Sequence, residues 1–205
     1  MDLDGIALSF VRNADAVREA KEILGDESKG MKIIAKIENQ EGVENMEQIL
    51  EEADGIMVAR GDLGLEVDME ELPQLQRRMA YLCAIHGKRL IVATHLLESM
   101  IEFPVPTRAE VTDVANAVYE QADAVMLSGE TASGKYPVEA VETLDRIVRR
   151  TERYPGVDYA SKMNLSSARM HLAAAAAQMA SELQFKGFVA ITQFGRGAEY
   201  ISNMR

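Results

Sequence analysis

The 205-residue chain is poor in three things, and each shortage excludes something. It holds a single cysteine, Cys83, so no internal disulfide can form, and the expected setting is a reducing compartment, the cytoplasm. Basic residues are outnumbered: 22 Lys and Arg stand against 33 Asp and Glu, a net charge of −11. A surface this acidic is repelled by phosphate backbones and anionic lipid, so neither nucleic acid nor membrane is an expected partner. Long apolar runs are missing too, since none approaches the roughly 20 residues a membrane span needs. Met1-Asp2-Leu3-Asp4 does not read as the start of a signal peptide, and no low-complexity tract interrupts the chain. What remains is 47% hydrophobic and 27% charged, a globular composition sized for one domain, or one domain plus a piece of another.

Short β-rich runs alternate with amphipathic stretches. The runs are Gly5 to Val11, Lys32 to Glu38, Gly55 to Arg60, Arg89 to Thr94 and Ala124 to Ser128. Each is nearly continuous in apolar residues and turns polar only at its C-terminal end, as a parallel strand covered on both faces does. Between them, apolar residues recur at helical spacing: Val17, Ala20 and Leu24, then Val43, Met46, Ile49 and Leu50, then Leu72, Leu75, Met79 and Leu82. Thr107 and Glu110 have capping-box spacing, and Pro137 fits the first turn of another helix. Repeated strand–helix units require parallel strands and right-handed crossovers. Units roughly 25–35 residues long suit an eight-fold β/α barrel. Five units do not close one, so the chain reads as a doubly wound open sheet or as a barrel without its first three strands. Past Tyr154-Pro155-Gly156 the pattern predicts a helix from Ser161 to Gln184, a strand from Gly187 to Thr192 and a turn at Gly195-Arg196-Gly197.

Polar residues gather at the C-terminal ends of the five runs: Ser9, Lys36 and Glu38, Arg60 and Asp62, Thr94 and His95, Ser128 and Glu130. In parallel α/β architectures that edge carries ligands. Strand side chains alternate, so Lys36 and Glu38 share a face, as do Arg60 and Asp62 if the strand stays extended. Two carboxylates offered to one small volume suit Mg²⁺, and the lysine beside them suits a transferring phosphoryl group. Gly61 and Gly64 let backbone amides approach an anion. Thr94 and Ser128 could relay protons. Any one of these residues alone could equally belong to a structural ion pair; five polar strand ends on one rim point to an anion site with a divalent metal. Cys83 and the methionines read as core, His86 as a helix-end residue beside Gly87, and His171 as structural.

Five strings carry a resemblance: Lys36 to Gly42 (KIENQEG), Met57 to Gly64 (MVARGDLG), Ala93 to Met100 (ATHLLESM), Pro106 to Val118 (PTRAEVTDVANAV) and Met126 to Pro137 (MLSGETASGKYP). In order and spacing they resemble the pyruvate kinase family along essentially the whole chain. The resemblance implies strands four to eight of a partial (β/α)8 barrel over residues 1–155, then the start of a C-terminal α/β domain over 156–205. It implies phosphoryl transfer from phosphoenolpyruvate to ADP, giving pyruvate and ATP, with Mg²⁺ (or Mn²⁺) and K⁺. Glu38 and Asp62 match the metal ligands, and Lys36 the lysine that stabilises the phosphoryl transition state and the enolate. Gly61 and Asp62 match the backbone that receives the substrate carboxylate, and Thr94 the threonine beside the carbon that is protonated. Ser9 matches a serine near the phosphate, and Ser128 and Glu130 a segment tied to proton relay.

Two departures stand out. His95 occupies a position where the family usually has glutamine, which predicts tuning rather than loss. The first three strands and the inserted lid, with the K⁺ ligands and much of the nucleotide site, have no counterpart. The chain is therefore expected to be part of a longer, homotetrameric enzyme and inactive by itself. Two other readings stay open: a Mg²⁺-dependent 2-oxo acid aldolase or lyase on a related barrel, and a non-catalytic truncated module.

Overall fold

The structure, a computed structural model, describes residues 3–26, 30–193 and 195–204. Five parallel strands are formed by β1 (Gly5–Leu8), β2 (Lys32–Ile37), β3 (Gly55–Ala59), β4 (Arg89–Ala93) and β5 (Ala124–Met126). Their spatial order is their chain order, β1-β2-β3-β4-β5. A doubly wound sheet reverses its strand order at a switch point. No reversal occurs here, which decides between the two architectures left open by the spacing.

Helices follow each strand: α1 (Ala14–Leu24), then α2 (Gln40–Glu44) and α3 (Met46–Glu52), then α4 (Arg60–Glu66) and α5 (Leu72–His86), then α6 (Arg108–Tyr119), then α7 (Gly129–Ala132) and α8 (Pro137–Thr151). Local chemistry sets their ends. The side chain of Asn13 caps α1, that of Asn39 caps α2, and Thr107 and Glu110 complete a capping box on α6. Pro137 opens α8, and Gly87 closes α5 with a left-handed φ of 63°.

The core lies between the helices and one face of the sheet. Ile33, Ala35, Ile37, Ile56, Val58, Leu90 and Val92 share a cluster with Val17, Met46, Ile49, Leu50, Met79 and Cys83. The alternate strand residues Ile34, Met57 and Ala93, with Ile91, form a separate small cluster without any helix. The continuous apolar pattern predicted cover on both faces. Instead the second face packs its side chains on one another, as a barrel interior does.

The strands also end earlier than their apolar runs. Lys36 remains within β2, but Glu38, Arg60, Thr94 and Ser128 all stand just past strand ends. At the opposite edge carboxylates serve the backbone: Asp54 Oδ2 accepts from Ile33 N at 2.9 Å and Asp123 Oδ2 from Leu90 N at 2.7 Å.

The last fifty residues differ from the expected pattern. The helix starts later, as α9 (Ala168–Glu182), because Ser167 caps it by accepting from Met170 N. Residues 187–192 are not a strand: no ladder partner exists among the described residues, and Val189 and Ile191 are 95% and 99% exposed. The expected turn at Gly195 leads directly into a helix, α10 (Arg196–Ser202). It rests against the strand starts, where Asn203 Nδ2 donates to Gly87 O at 3.1 Å and Glu199 lies 3.6 Å from Lys32 Nζ.

Candidate active site

All-parallel pairing puts the five C-terminal strand ends on one rim, and the register aligns them: Leu8 with Ala35, Ile37 with Val58, Ala59 with Ala93, Ala93 with Met126. The polar residues there form three groups.

The first joins β1 and β2. Lys36 Nζ lies 2.7 Å from Glu38 Oε1 and donates to Ser9 Oγ at 3.0 Å, so Lys36 and Glu38 do share a side. Glu38 is fully buried, and its Oε2 accepts from Phe10 N at 2.6 Å. That amide is aimed by Phe10's left-handed backbone, φ 53°. The glycine inside α2 has a steric reason: a Cβ on Gly42 would lie 2.5 Å from Val11 O. Glu38 Oε1 is buried, takes no backbone or hydroxyl donor among the described residues, and has the Lys36 ammonium as its ion-pair partner. A buried carboxylate oxygen in that state is a ready ligand for a cation.

The second group joins β3 and β4. The chain does not stay extended past Ala59; it enters α4 at Arg60. Arg60 and Asp62 therefore do not share a strand face. Asp62 is solvent-exposed in the first turn of α4, without an ion pair among the described residues. Arg60 turns toward β4: its Nη2 donates to Thr94 O at 2.7 Å, and its Nη1 to Asp113 Oδ1 of α6 at 2.7 Å. Gly61 N donates to Thr94 Oγ1 at 2.8 Å, and that hydroxyl donates to Ala93 O at 2.6 Å. The Gly61 amide expected to meet an anion is thus engaged by Thr94. His95 sits exposed beside it, its Nε2 3.4 Å from Glu98 Oε2. A cavity of about 430 Å³ opens here, lined by Arg60, Gly61, His95, Asp113 and Asn116 among others.

The third group joins β4 to β5. Glu130 is buried and accepts two backbone amides, Leu97 N on Oε1 at 3.0 Å and Ser128 N on Oε2 at 2.8 Å. Glu110, beyond its capping role, accepts from Ser99 N at 2.7 Å and Ser99 Oγ at 2.6 Å. Burial pushes the Glu110 carboxyl up, but the hydrogen bonds from Ser99 and Thr107 outweigh it and hold it below its ordinary range.

Behind the rim, Gln76 Nε2 and Asn116 Nδ2 donate to the buried Glu120 at 2.8 and 3.1 Å. Sequence reading missed Arg60's partner Asp113 and this Glu120 cluster. Arg60 and Asp113 are 53 residues apart and Gln76 and Glu120 are 44 apart, and only the Asn116–Glu120 contact is local, at a spacing of four. His86 ends α5 as expected. Burial drives the Cys83 thiol far above its usual range, so it is core rather than nucleophile.

A sequential parallel sheet with helices on one face, and ligand-type residues on its C-terminal rim, defines a β/α-barrel protein of the TIM type, here in part. The sequence model of the family described as "Pyruvate kinase, barrel domain" matches residues 1–141. The chain is 48% identical over 213 residues to a pyruvate kinase of Dictyostelium discoideum, covering all of this chain and 42% of that protein. It is 55% identical over 152 residues to one of Geobacillus stearothermophilus, covering 74% of this chain and 26% of the relative. With one of Methanocaldococcus jannaschii it shares 42% identity over 205 residues, 100% and 46% of the two lengths. The chain belongs to the pyruvate kinase family. It spans less than half the length of these curated relatives.

Proposed function

We propose that this chain supplies the rim of a pyruvate kinase on which phosphoenolpyruvate gives its phosphoryl group to ADP. The observation that carries the reading is the β2 end: a buried carboxylate, one oxygen of which takes no backbone amide and faces a lysine ammonium 2.7 Å away.

The donor chemistry fits a hard divalent cation. Glu38 and Asp62, from neighbouring strand ends, offer two carboxylates and leave the remaining positions to water and phosphate oxygens, as Mg²⁺ or Mn²⁺ prefers. When bound, that cation supplies Lewis-acid neutralisation of charge on the phosphoryl and carboxylate oxygens. Lys36 holds its ammonium in place through Ser9 and Glu38. As the phosphorus–oxygen bond to the enol breaks and the bond to an ADP oxygen forms, negative charge grows on the equatorial oxygens and the enolate oxygen. A fixed ammonium there acts more strongly on the transition state than on the substrate. The enolate left behind must gain a proton on carbon. Thr94 Oγ1, held by Gly61 N–H, serves that side of the site, and the Ser128 hydroxyl is assigned to the relay. Gly61 and Asp62 receive the substrate carboxylate, which requires the Gly61 amide to exchange its Thr94 partner. Ser9 borders the phosphate.

The K⁺ ligands and the lid that excludes water belong to parts of the enzyme outside these residues. The active form is a homotetramer in the cytoplasm, with residues 1–155 contributing to the barrel and 156–205 beginning a second α/β domain. Among the described residues no helix is long and apolar enough to cross a membrane.

The test is a full-length form made by exchanging residues 1–205 into the matching segment of the D. discoideum relative. It should form pyruvate from phosphoenolpyruvate and ADP and cleave no 2-oxo acid. Cleavage of a 2-oxo acid without phosphoryl transfer would replace this reading with a lyase. Metal binding with neither activity would leave a non-catalytic module.

A further inference from the structure

Thr94 and His95 are consecutive, neither is glycine, and both have left-handed backbones, φ 68° and 54°. Such pairs persist only where the surroundings hold them. One side chain does so. Arg60 Nε donates to Thr94 O at 3.1 Å, and Nη2 donates to Thr94 O at 2.7 Å and to His95 O at 3.2 Å. Nη1 turns the other way, to Asp113 Oδ1 at 2.7 Å and Gln76 Oε1 at 3.5 Å. The guanidinium thus ties the start of α4 to the β4 turn, α5 and α6. The next residue, Gly61, grips Thr94 from its other end, through the hydroxyl. A planar fork of five donors can span these acceptors, while a lysine ammonium could serve only some of them.

We propose that Arg60, anchored by Asp113, is a positioning residue that keeps the Thr94–His95 turn left-handed and thereby aims the Thr94 hydroxyl. This rests on the reading of Thr94 as the group on the proton-transfer side of the site. Arg60 touches no reacting atom in this scheme. Its effect passes through Thr94, so it must appear in proton transfer more than in substrate binding.

The experiment uses the full-length exchanged form in deuterium oxide. Solvent deuterium uptake into the methyl group of pyruvate, followed by proton NMR, reports proton transfer at that carbon: a carbon–hydrogen bond breaks, the enolate forms, and deuterium returns from the exchanged donor. Well-aimed proton transfer contributes about 10²–10⁴ in rate, so Arg60→Gln and Arg60→Lys should slow uptake about tenfold or more, with KM for phosphoenolpyruvate within about threefold. Asp113→Asn should give a smaller loss of the same kind. In a Thr94→Val background, Arg60→Gln should cost less than about twofold more, because residues acting as one unit are not additive. Arg60→Lys carries the test if Arg60→Gln fails to fold. A folded Arg60→Gln that exchanges at the parental rate overturns the proposal, as does an undiminished Arg60→Gln loss in the Thr94→Val background. If the parent itself neither exchanges nor makes pyruvate, the phosphotransferase reading falls. The clamp is then judged by the Thr94 amide and methyl NMR shifts, which Arg60→Gln must move and whose constancy refutes it.

Discussion

Glu130 offers a sharp test of how the rim is held together. Its carboxylate is buried and each oxygen accepts one backbone amide, Leu97 N at 3.0 Å and Ser128 N at 2.8 Å. It thereby fixes the turn after β4 to the segment that follows β5. Glu130→Gln keeps the shape but has one oxygen, so one amide then faces an NH₂ group. A hydrogen bond to a charged acceptor is worth about 1.5–3 kcal/mol, and a buried donor left unmet costs about 1–3 kcal/mol. Removing the burial cost of the charge offsets part of this, leaving a loss of about 2–4 kcal/mol. For a chain of 205 residues, 1 kcal/mol moves the melting temperature by about 2–4 °C, so the expected drop is about 5–15 °C. The chain has no tryptophan, so the melt is followed by far-ultraviolet circular dichroism. Glu130→Asp, charged but too short to span both amides, should fall between parent and Glu130→Gln. A Glu130→Gln melt within about 1 °C of the parent would refute the assigned double acceptance.

Two further outcomes follow from the same geometry. Glu110 holds its carboxyl below the ordinary range, because hydrogen bonds from Ser99 and Thr107 outweigh burial. A lowered folded-state pKa stabilises above the ordinary carboxylate pKa of about 4.3, and that gain is lost as pH falls through the folded value. Glu110→Gln should therefore be less stable at neutral pH, by a loss that solvent screening of this partly exposed carboxylate keeps to about 1 kcal/mol or less, and the gap to the parent should close in acid melts below about pH 4; a gap independent of pH would contradict the cause given. Lys36→Met in the full-length exchanged form should lower turnover by about 10²–10³ or more while affinity suffers less, and steady-state kinetics showing a loss of affinity alone would reduce Lys36 to a binding charge.

Much of this fold was legible because parallel β/α units write themselves locally. Each of the first five apolar runs found its strand, and Thr107, Pro137 and Gly87 marked helix ends from chemistry within four residues. The rim was legible for the same reason: polar residues at the end of a buried strand have few other uses. The failures came where distant partners decide. Nothing in Arg60-Gly61-Asp62 says that the strand stops at Ala59 and a helix begins, because only the bonds of Arg60 and Gly61 to Thr94 make that turn favourable. Residues 187–192 have strand composition, but a strand needs a ladder partner, and none is among the described residues. The grip of Glu130 on Leu97 N was equally hidden, since Leu97 lies 33 residues away.

The central claim is that Glu38 and Asp62 together hold one divalent cation at the phosphoryl-transfer site. The most direct measurement is Mn²⁺ binding, by enhancement of water-proton relaxation, in the full-length exchanged form and its Glu38→Gln and Asp62→Asn variants, with pyruvate formation assayed on the same samples. Each lost ligand should weaken Mn²⁺ binding by at least about tenfold and take pyruvate formation with it, since one carboxylate cannot fix the ion. Parental Mn²⁺ affinity and turnover in either folded variant would contradict the account.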